Sequence, residues 1–92
     1  MPRPKRVDEA DAVYHVLNRG NARSRIFHKE GDYEAFERIL AEGLKRYAVE
    51  LPAYQLMPNH WHMVLKPTRH GQMSQLLHWV TGTHTMRYHF SR

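Results

Sequence analysis

Two β-rich segments flank the pair Pro58-Asn59 in the sequence AYQLMPNHWHMVLK (residues 53–66). Proline presets φ at the first corner of a tight turn, and asparagine tolerates the second corner. The pair therefore predicts a hairpin turn that joins antiparallel strands over residues 53–57 and 60–66.

Three further segments of the chain have a regular pattern. Residues 12–18 are β-rich and apolar on both faces, which is typical of a central strand. Apolar residues at spacings of three and four predict a helix over residues 32–48, with Asp32 as its N-cap. Within this helix, Gly43 indicates a close approach to the sheet. A second helical pattern covers residues 72–90.

The order strand, helix, strand, strand, helix predicts an α+β fold. It is most of a ferredoxin-like β-α-β-β-α sandwich, with two helices on one face of a small antiparallel sheet and the last strand absent. We expect residues 1–11 to form a flexible arm and residues 12–92 to form one domain. The unfinished sheet leaves an open strand edge, which favours a homodimer or pairing with another chain.

Composition narrows the class of partner. Fourteen Lys and Arg residues against nine Asp and Glu residues give a net charge of +5, as expected for a protein that binds phosphate groups. The mean hydropathy of -0.73 and the lack of a long apolar run argue against a transmembrane helix and a membrane partner. The chain has no cysteine, so it has no disulfide and no thiolate zinc site. We expect a cytoplasmic protein.

His60 and His62 are the residues with the clearest chemical potential. Side chains at positions i and i+2 of a strand point to the same face, so the two imidazoles are expected to project together. Such a pair is a bidentate metal site that one or two oxygen ligands would complete. Simple polar alternation on an exposed strand remains the alternative. His15 is either a packed, hydrogen-bonded residue or a neighbour of this site across the sheet.

Four stretches of the chain resemble one known family. The segment from Leu56 to Leu65, LMPNHWHMVL, resembles the signature of the HUH single-strand transposases, in particular the REP-associated tyrosine transposase (transposase IS200-like) branch. Residues 14–21, 32–33 and 74–83 resemble the same family, and the resemblance covers residues 12–90 in all.

The resemblance implies a nuclease and strand transferase that acts on single-stranded or hairpin DNA. In this family the two histidines, here His60 and His62, hold a divalent cation, Mg²⁺ or Mn²⁺, against the scissile phosphate. A tyrosine then attacks that phosphate and becomes joined to the 5′ side, which leaves a free 3′-hydroxyl group.

The family's nucleophilic tyrosine and third metal ligand belong to a helix beyond the ferredoxin-like unit. The present sequence ends at Arg92 without that helix. We therefore expect this chain to contain no catalytic nucleophile and to be unable to cleave DNA. Tyr88 lies in the wrong element, and the other four tyrosines are expected in the core.

Basic residues around the histidine pair are candidate DNA contacts. They are Arg19, Arg23 and Arg25 in the first loop, and Lys66 and Arg69 after the histidines. The alternative function is a non-catalytic nucleic-acid-binding module with the same fold, although no RNP-type aromatic strand is present.

Overall fold

The computed structural model describes residues 8–19 and 26–90 of the chain. These residues form the elements β1 (Tyr14–Arg19), α1 (Glu30–Arg46), β2 (Val49–Met57), β3 (His60–Pro67) and α2 (Gln72–Phe90). The order confirms the predicted α+β fold, a three-stranded antiparallel sheet with two helices arranged as a ferredoxin-like unit without its last strand. Neither described helix combines the length and the apolar character that crossing a membrane requires.

The sheet has the strand order β1-β3-β2, and both pairs are antiparallel. The central strand is therefore β3, and the prediction that residues 12–18 form a central strand is wrong for the part of the chain that the structure describes. The apolar residues of this segment lie in two environments. Tyr14 and Val16 pack against the core, whereas Val13 and Leu17 are exposed to solvent. Homodimer formation through an open sheet edge stays a prediction.

The Pro58-Asn59 turn joins β2 to β3 and confirms the predicted hairpin. The chain before α1 anchors this turn, because the backbone N–H groups of Ile26 and Phe27 both donate to the Pro58 carbonyl oxygen, at 2.7 and 3.0 Å. Phe27 is itself buried in the core. The position of the turn is thus fixed from outside the hairpin.

The core lies between the helices and one face of the sheet. β3 shows strict alternation, with Trp61, Met63 and Leu65 buried and the residues between them partly exposed. The helices, the segment before α1 and the start of β2 contribute the other buried apolar side chains, which are Phe27, Phe36, Ile39, Leu40, Val49, Met73, Leu76 and Val80. The other face of the sheet is left uncovered by α1 and α2.

Helix α1 begins at Glu30 and ends at Arg46, so its predicted limits need correction. Asp32 is not the N-cap but lies in the first turn, where its Oδ2 accepts hydrogen bonds from the backbone N–H groups of His28 and Lys29 at 2.8 and 3.1 Å. The His28 N–H is the main reason why the pKa of Asp32 is lowered. The helix ends where Tyr47 adopts an extended conformation.

Gly43 marks a close approach, but its neighbour is α2 and not the sheet as predicted. A methyl group added at position 43 would lie 2.7 Å from Leu76 Cδ1 and 3.1 Å from Val80 Cγ2. A larger residue at position 43 therefore requires the side chains of Leu76 and Val80 to shift. Glycine lets the two helices approach closely here without that shift.

Residues 8–11, which the sequence analysis assigned to a flexible arm, are hydrogen-bonded to the rest of the domain. The Asp8 side chain is buried, with 4% of its surface exposed, and its carboxylate accepts hydrogen bonds from the backbone N–H groups of Met73 and Ser74 at 2.9 and 2.7 Å. These N–H groups belong to the first turn of α2 and have no partner within the helix. Asp8 thus caps α2 from a distant part of the sequence. Residues 1–7 lie outside the described residues.

Candidate metal and nucleic-acid site

His60 and His62 lie on the uncovered face of the sheet. Their neighbour Trp61 points the other way into the core, with 2% of its surface exposed. The ring centres of the two histidines are 5.1 Å apart, with an angle of 82° between the ring planes. The structure therefore places the two imidazoles side by side on a rigid central strand.

His15, on the neighbouring strand β1, lies directly beside His62. Its Nε2 is 3.2 Å from His62 Nδ1, and the two rings stack with their centres 5.2 Å apart. His15 is exposed and hydrogen-bonded to His62, so the structure places it beside the histidine pair and not packed in the core. The sequence alone could not decide this, because the contact depends on the β1–β3 register, in which Leu17 lies opposite His62.

Asn59 makes a corresponding contact with His60. The Asn59 Oδ1 atom is 2.8 Å from His60 Nδ1. An amide oxygen can only accept a hydrogen bond, so His60 donates from Nδ1 and carries its proton there. Asn59 is thus both a turn residue and a partner of His60, and the sequence did not indicate the contact with His60.

The geometry of the pair fits a shared cation. When each of two imidazole nitrogens lies about 2.1 Å from a metal ion, at tetrahedral or octahedral angles, the ring centres are about 5 Å apart. The observed separation of 5.1 Å agrees with this value. Within residues 8–19 and 26–90, no three His, Cys, Asp or Glu side chains form a group that could hold a metal ion. His60 and His62 would therefore supply two ligands, and nitrogen ligands suit Mn²⁺ better than Mg²⁺.

A shallow groove extends from His62 towards β2. Its volume is about 430 Å³, and its lining includes Ala53, Gln55 and Val64. Gln55 lies opposite His62 in the β2–β3 register. A polar side chain next to the imidazole pair and an open groove leave room for an extended ligand on this face.

Of the candidate DNA-contacting residues, Lys66 and Arg69 are described with their side chains. Arg19 lies opposite His60 in the β1–β3 register, although its side chain is outside the described part, as are Arg23 and Arg25. Lys66 is on the same strand as His62 but about 13 Å further along, and its ammonium nitrogen is 4.0 Å from Glu50 Oε2. Arg69 is exposed and follows the last residue of β3, Pro67, at the strand end far from His60.

The tyrosines described with side chains have partners away from the histidine pair. The Tyr14 hydroxyl oxygen accepts a hydrogen bond from the Glu9 N–H at 2.8 Å. Tyr33 stacks on Phe27, and Tyr47 contacts Trp79.

Tyr54 is more exposed than the predicted core position would be, with 44% of its surface accessible. Its hydroxyl donates to Glu37 on α1, and this hydrogen bond raises the pKa of Tyr54. The phenolate form of Tyr54 is therefore disfavoured.

The comparison with known proteins identifies the family. A family model described as "Transposase IS200 like" matches residues 9–91, which is nearly the whole chain. No curated protein and no solved structure matches the chain. Because one family model covers almost every described element, the chain belongs to the IS200-like transposase family.

Proposed function

We propose that this chain is the metal-binding and DNA-binding part of a transposase that cuts and rejoins single-stranded or hairpin DNA. Family membership supports a transposase-type role in DNA processing. The observation that carries the finer proposal is the placement of His60 and His62 side by side on the open face of β3.

In this proposal His60 and His62 hold a divalent cation, Mg²⁺ or Mn²⁺. When bound, such a cation withdraws charge from the scissile phosphate and stabilises the charge that develops during its displacement. The protein holds the two ligands in fixed positions, because Trp61 between them is buried in the core. The N–H groups of Ile26 and Phe27 fix the turn that precedes His60.

The open sheet face is the proposed path of the DNA. The groove beside His62 has room for part of an extended strand, and Gln55 offers a polar contact there. The net charge of +5 favours binding to phosphates, and Arg19, at the strand end opposite His60, is the nearest of the candidate basic residues in the register. Arg23, Arg25, Lys66 and Arg69 are proposed as further backbone contacts.

We place the attacking tyrosine outside the described residues 8–19 and 26–90. Tyrosine attack retains the phosphodiester energy in a covalent intermediate, and this permits rejoining without a cofactor. The hydroxyl groups of Tyr14 and Tyr54 have hydrogen-bond partners away from the histidines. By this proposal the 92-residue chain binds DNA but does not cleave it.

The test is metal-dependent binding of a hairpin oligonucleotide with a single-stranded tail, followed by fluorescence anisotropy. We expect tighter binding with Mn²⁺ than with EDTA, because a cation held by the protein can also coordinate a phosphate. The double variant His60→Ala, His62→Ala should lose this difference. The matched control His70→Ala, His78→Ala removes two exposed histidines elsewhere and should keep it.

The same experiment separates the alternative function. If wild type and the His60→Ala, His62→Ala variant bind equally well with Mn²⁺ and with EDTA, the chain is a non-catalytic nucleic-acid-binding module. The nucleophile assignment has its own readout, a covalent protein–DNA adduct on a denaturing gel. We expect none, and an adduct that Tyr88→Phe abolishes would overturn that assignment.

A further inference from the structure

We propose that His15 and Asn59 are positioning residues that hold the Nδ1 atoms of His62 and His60, so that both rings offer Nε2 to one cation. This inference rests on the proposed function, because it concerns the same pair of metal ligands. It adds two residues that act through the ligands.

His15 acts on His62 through a hydrogen bond between rings on neighbouring strands. The Nε2 atom of His15 is 3.2 Å from His62 Nδ1, so the two nitrogens share one proton. A metal-binding imidazole usually donates its second N–H to a fixed partner, which sets both the tautomer and the ring orientation. With the proton on His62 Nδ1, His15 Nε2 accepts, and His62 Nε2 carries the lone pair for the cation.

The same geometry argues against His15 as a third ligand. The Nε2 atom of His15 is already engaged by His62 Nδ1 at hydrogen-bonding distance. Among the described side chains no group of three potential ligands can hold a metal ion, and the trio of His15, His60 and His62 is no exception. His15 is therefore assigned to orientation of a ligand and not to coordination.

Asn59 acts on His60 in the same way from the turn. Its Oδ1 lies 2.8 Å from His60 Nδ1, and an amide oxygen requires the proton to be on the imidazole nitrogen. The partner of His60 comes from the preceding residue, while the partner of His62 comes from β1. The contact with Asn59 requires the Nδ1–H tautomer of His60, and we propose that the contact with His15 holds His62 in the same form.

The first test reads these tautomers directly in the metal-free protein. Long-range ¹⁵N–¹H NMR of the histidine rings, at a pH where ordinary imidazole is neutral, distinguishes Nδ1–H from Nε2–H. We expect Nδ1–H for His60, His62 and His15, the opposite of the form that isolated histidine favours. An Nε2–H form at His60 or His62 would overturn the inference.

The second test measures the affinity for Co²⁺, which imidazole binds more tightly than Mn²⁺ and which absorbs visible light. His15→Leu removes the acceptor, and we expect about 10-fold to 100-fold weaker binding. His15→Gln restores a carbonyl acceptor and should recover most of the affinity. The control His78→Leu makes the same change at an exposed position of α2 and should leave the affinity unchanged.

The turn residue needs a separate pair of variants because Asn59 also shapes the hairpin. Asn59→Ala should weaken Co²⁺ binding by a similar factor, whereas Asn59→Asp keeps an acceptor oxygen and should bind at least as well as wild type. Thermal unfolding of each variant shows whether the fold is retained. If folded Asn59→Ala and His15→Leu proteins both bind Co²⁺ like wild type, the positioning roles are wrong while the His60–His62 site stands.

Failure of the proposed function gives a different pattern. In that case wild type and the His60→Ala, His62→Ala variant would show the same weak Co²⁺ affinity. The inference about positioning a ligand would fall with it. The NMR tautomers would then report only a hydrogen-bond network without a metal role.

Discussion

The two faces of the sheet differ in what they bury. On the covered face Trp61, Met63 and Leu65 are at most 2% exposed and pack under the helices. On the open face, the alternate positions of the same strand carry His60 and His62, which remain partly exposed. One face of β3 thus contributes to the stability of the fold, and the other carries the candidate metal ligands. Substitutions on the covered face should change stability, and those on the open face should change metal binding.

The largest effect is expected at Trp61. Trp61→Ala removes a buried aromatic ring that packs near Phe36, and we expect a loss of about 3–5 kcal/mol in the free energy of unfolding. His62→Ala, one residue further on, should cost less than about 1 kcal/mol, because its ring is partly exposed to solvent. Urea unfolding followed by circular dichroism measures both values. Equal losses would contradict the division between the faces.

The helix layer over the covered face should be almost as sensitive at Gly43. Gly43→Ala places a methyl group 2.7 Å from Leu76 Cδ1, and overpacking of this kind costs about 1–3 kcal/mol. Gly82→Ala is the matched control, because nothing lies within 4 Å of the added methyl group. It should stabilise the helix by up to about 1 kcal/mol. The same urea experiment should give opposite signs, and two changes of one sign would refute the close approach.

Asp8 should contribute less than the core but more than an ordinary surface residue. Asp8→Ala removes the acceptor for the N–H groups of Met73 and Ser74, and loss of a helix cap costs about 1–2 kcal/mol. Asp11→Ala is a control in the same segment with an exposed side chain. Amide hydrogen exchange at the start of α2 should accelerate in Asp8→Ala alone. Unchanged exchange there would show that the cap is not formed.

The smallest effect is the pH dependence due to His84. This ring lies beside Phe27 and Phe36, and burial lowers its pKa below the usual 6.5. The unfolded chain therefore binds a proton at a higher pH than the folded chain does. The folded state therefore keeps its full stability at pH values above the pKa of His84 in the unfolded chain. The free energy of unfolding decreases as the pH falls through about 6.5. His84→Gln should flatten the unfolding free energy between neutral and mildly acidic pH, and parallel profiles for the two proteins would refute the assignment.

Much of the fold could be predicted because its signals are local. The turn at Pro58-Asn59 and the alternation along β3 are properties of neighbouring residues, and both predictions are confirmed. The cap of α2 could not be predicted, because Asp8 lies more than sixty residues before Met73 and Ser74, whose N–H groups donate hydrogen bonds to it. Gly43 was recognised as a close contact, but its neighbour depends on how the two helices pack.

The candidate site divides in the same way. The shared face of His60 and His62 follows from their spacing on a strand. The contact between His15 and His62 follows only from the register between β1 and β3, which local patterns do not determine. The sequence therefore indicates the candidate ligands, while the structure is needed to find the residues that orient them.

The most direct test of the central claim is a Mn²⁺ titration of the protein followed by NMR of the histidine ring protons. A bound Mn²⁺ broadens nearby resonances, and the chain has eight histidines that serve as internal controls. We predict that the rings of His60 and His62 broaden first, before those of His70 and His78 on other parts of the surface. Simultaneous broadening of all histidines, or broadening centred away from β3, would contradict a cation site at this pair.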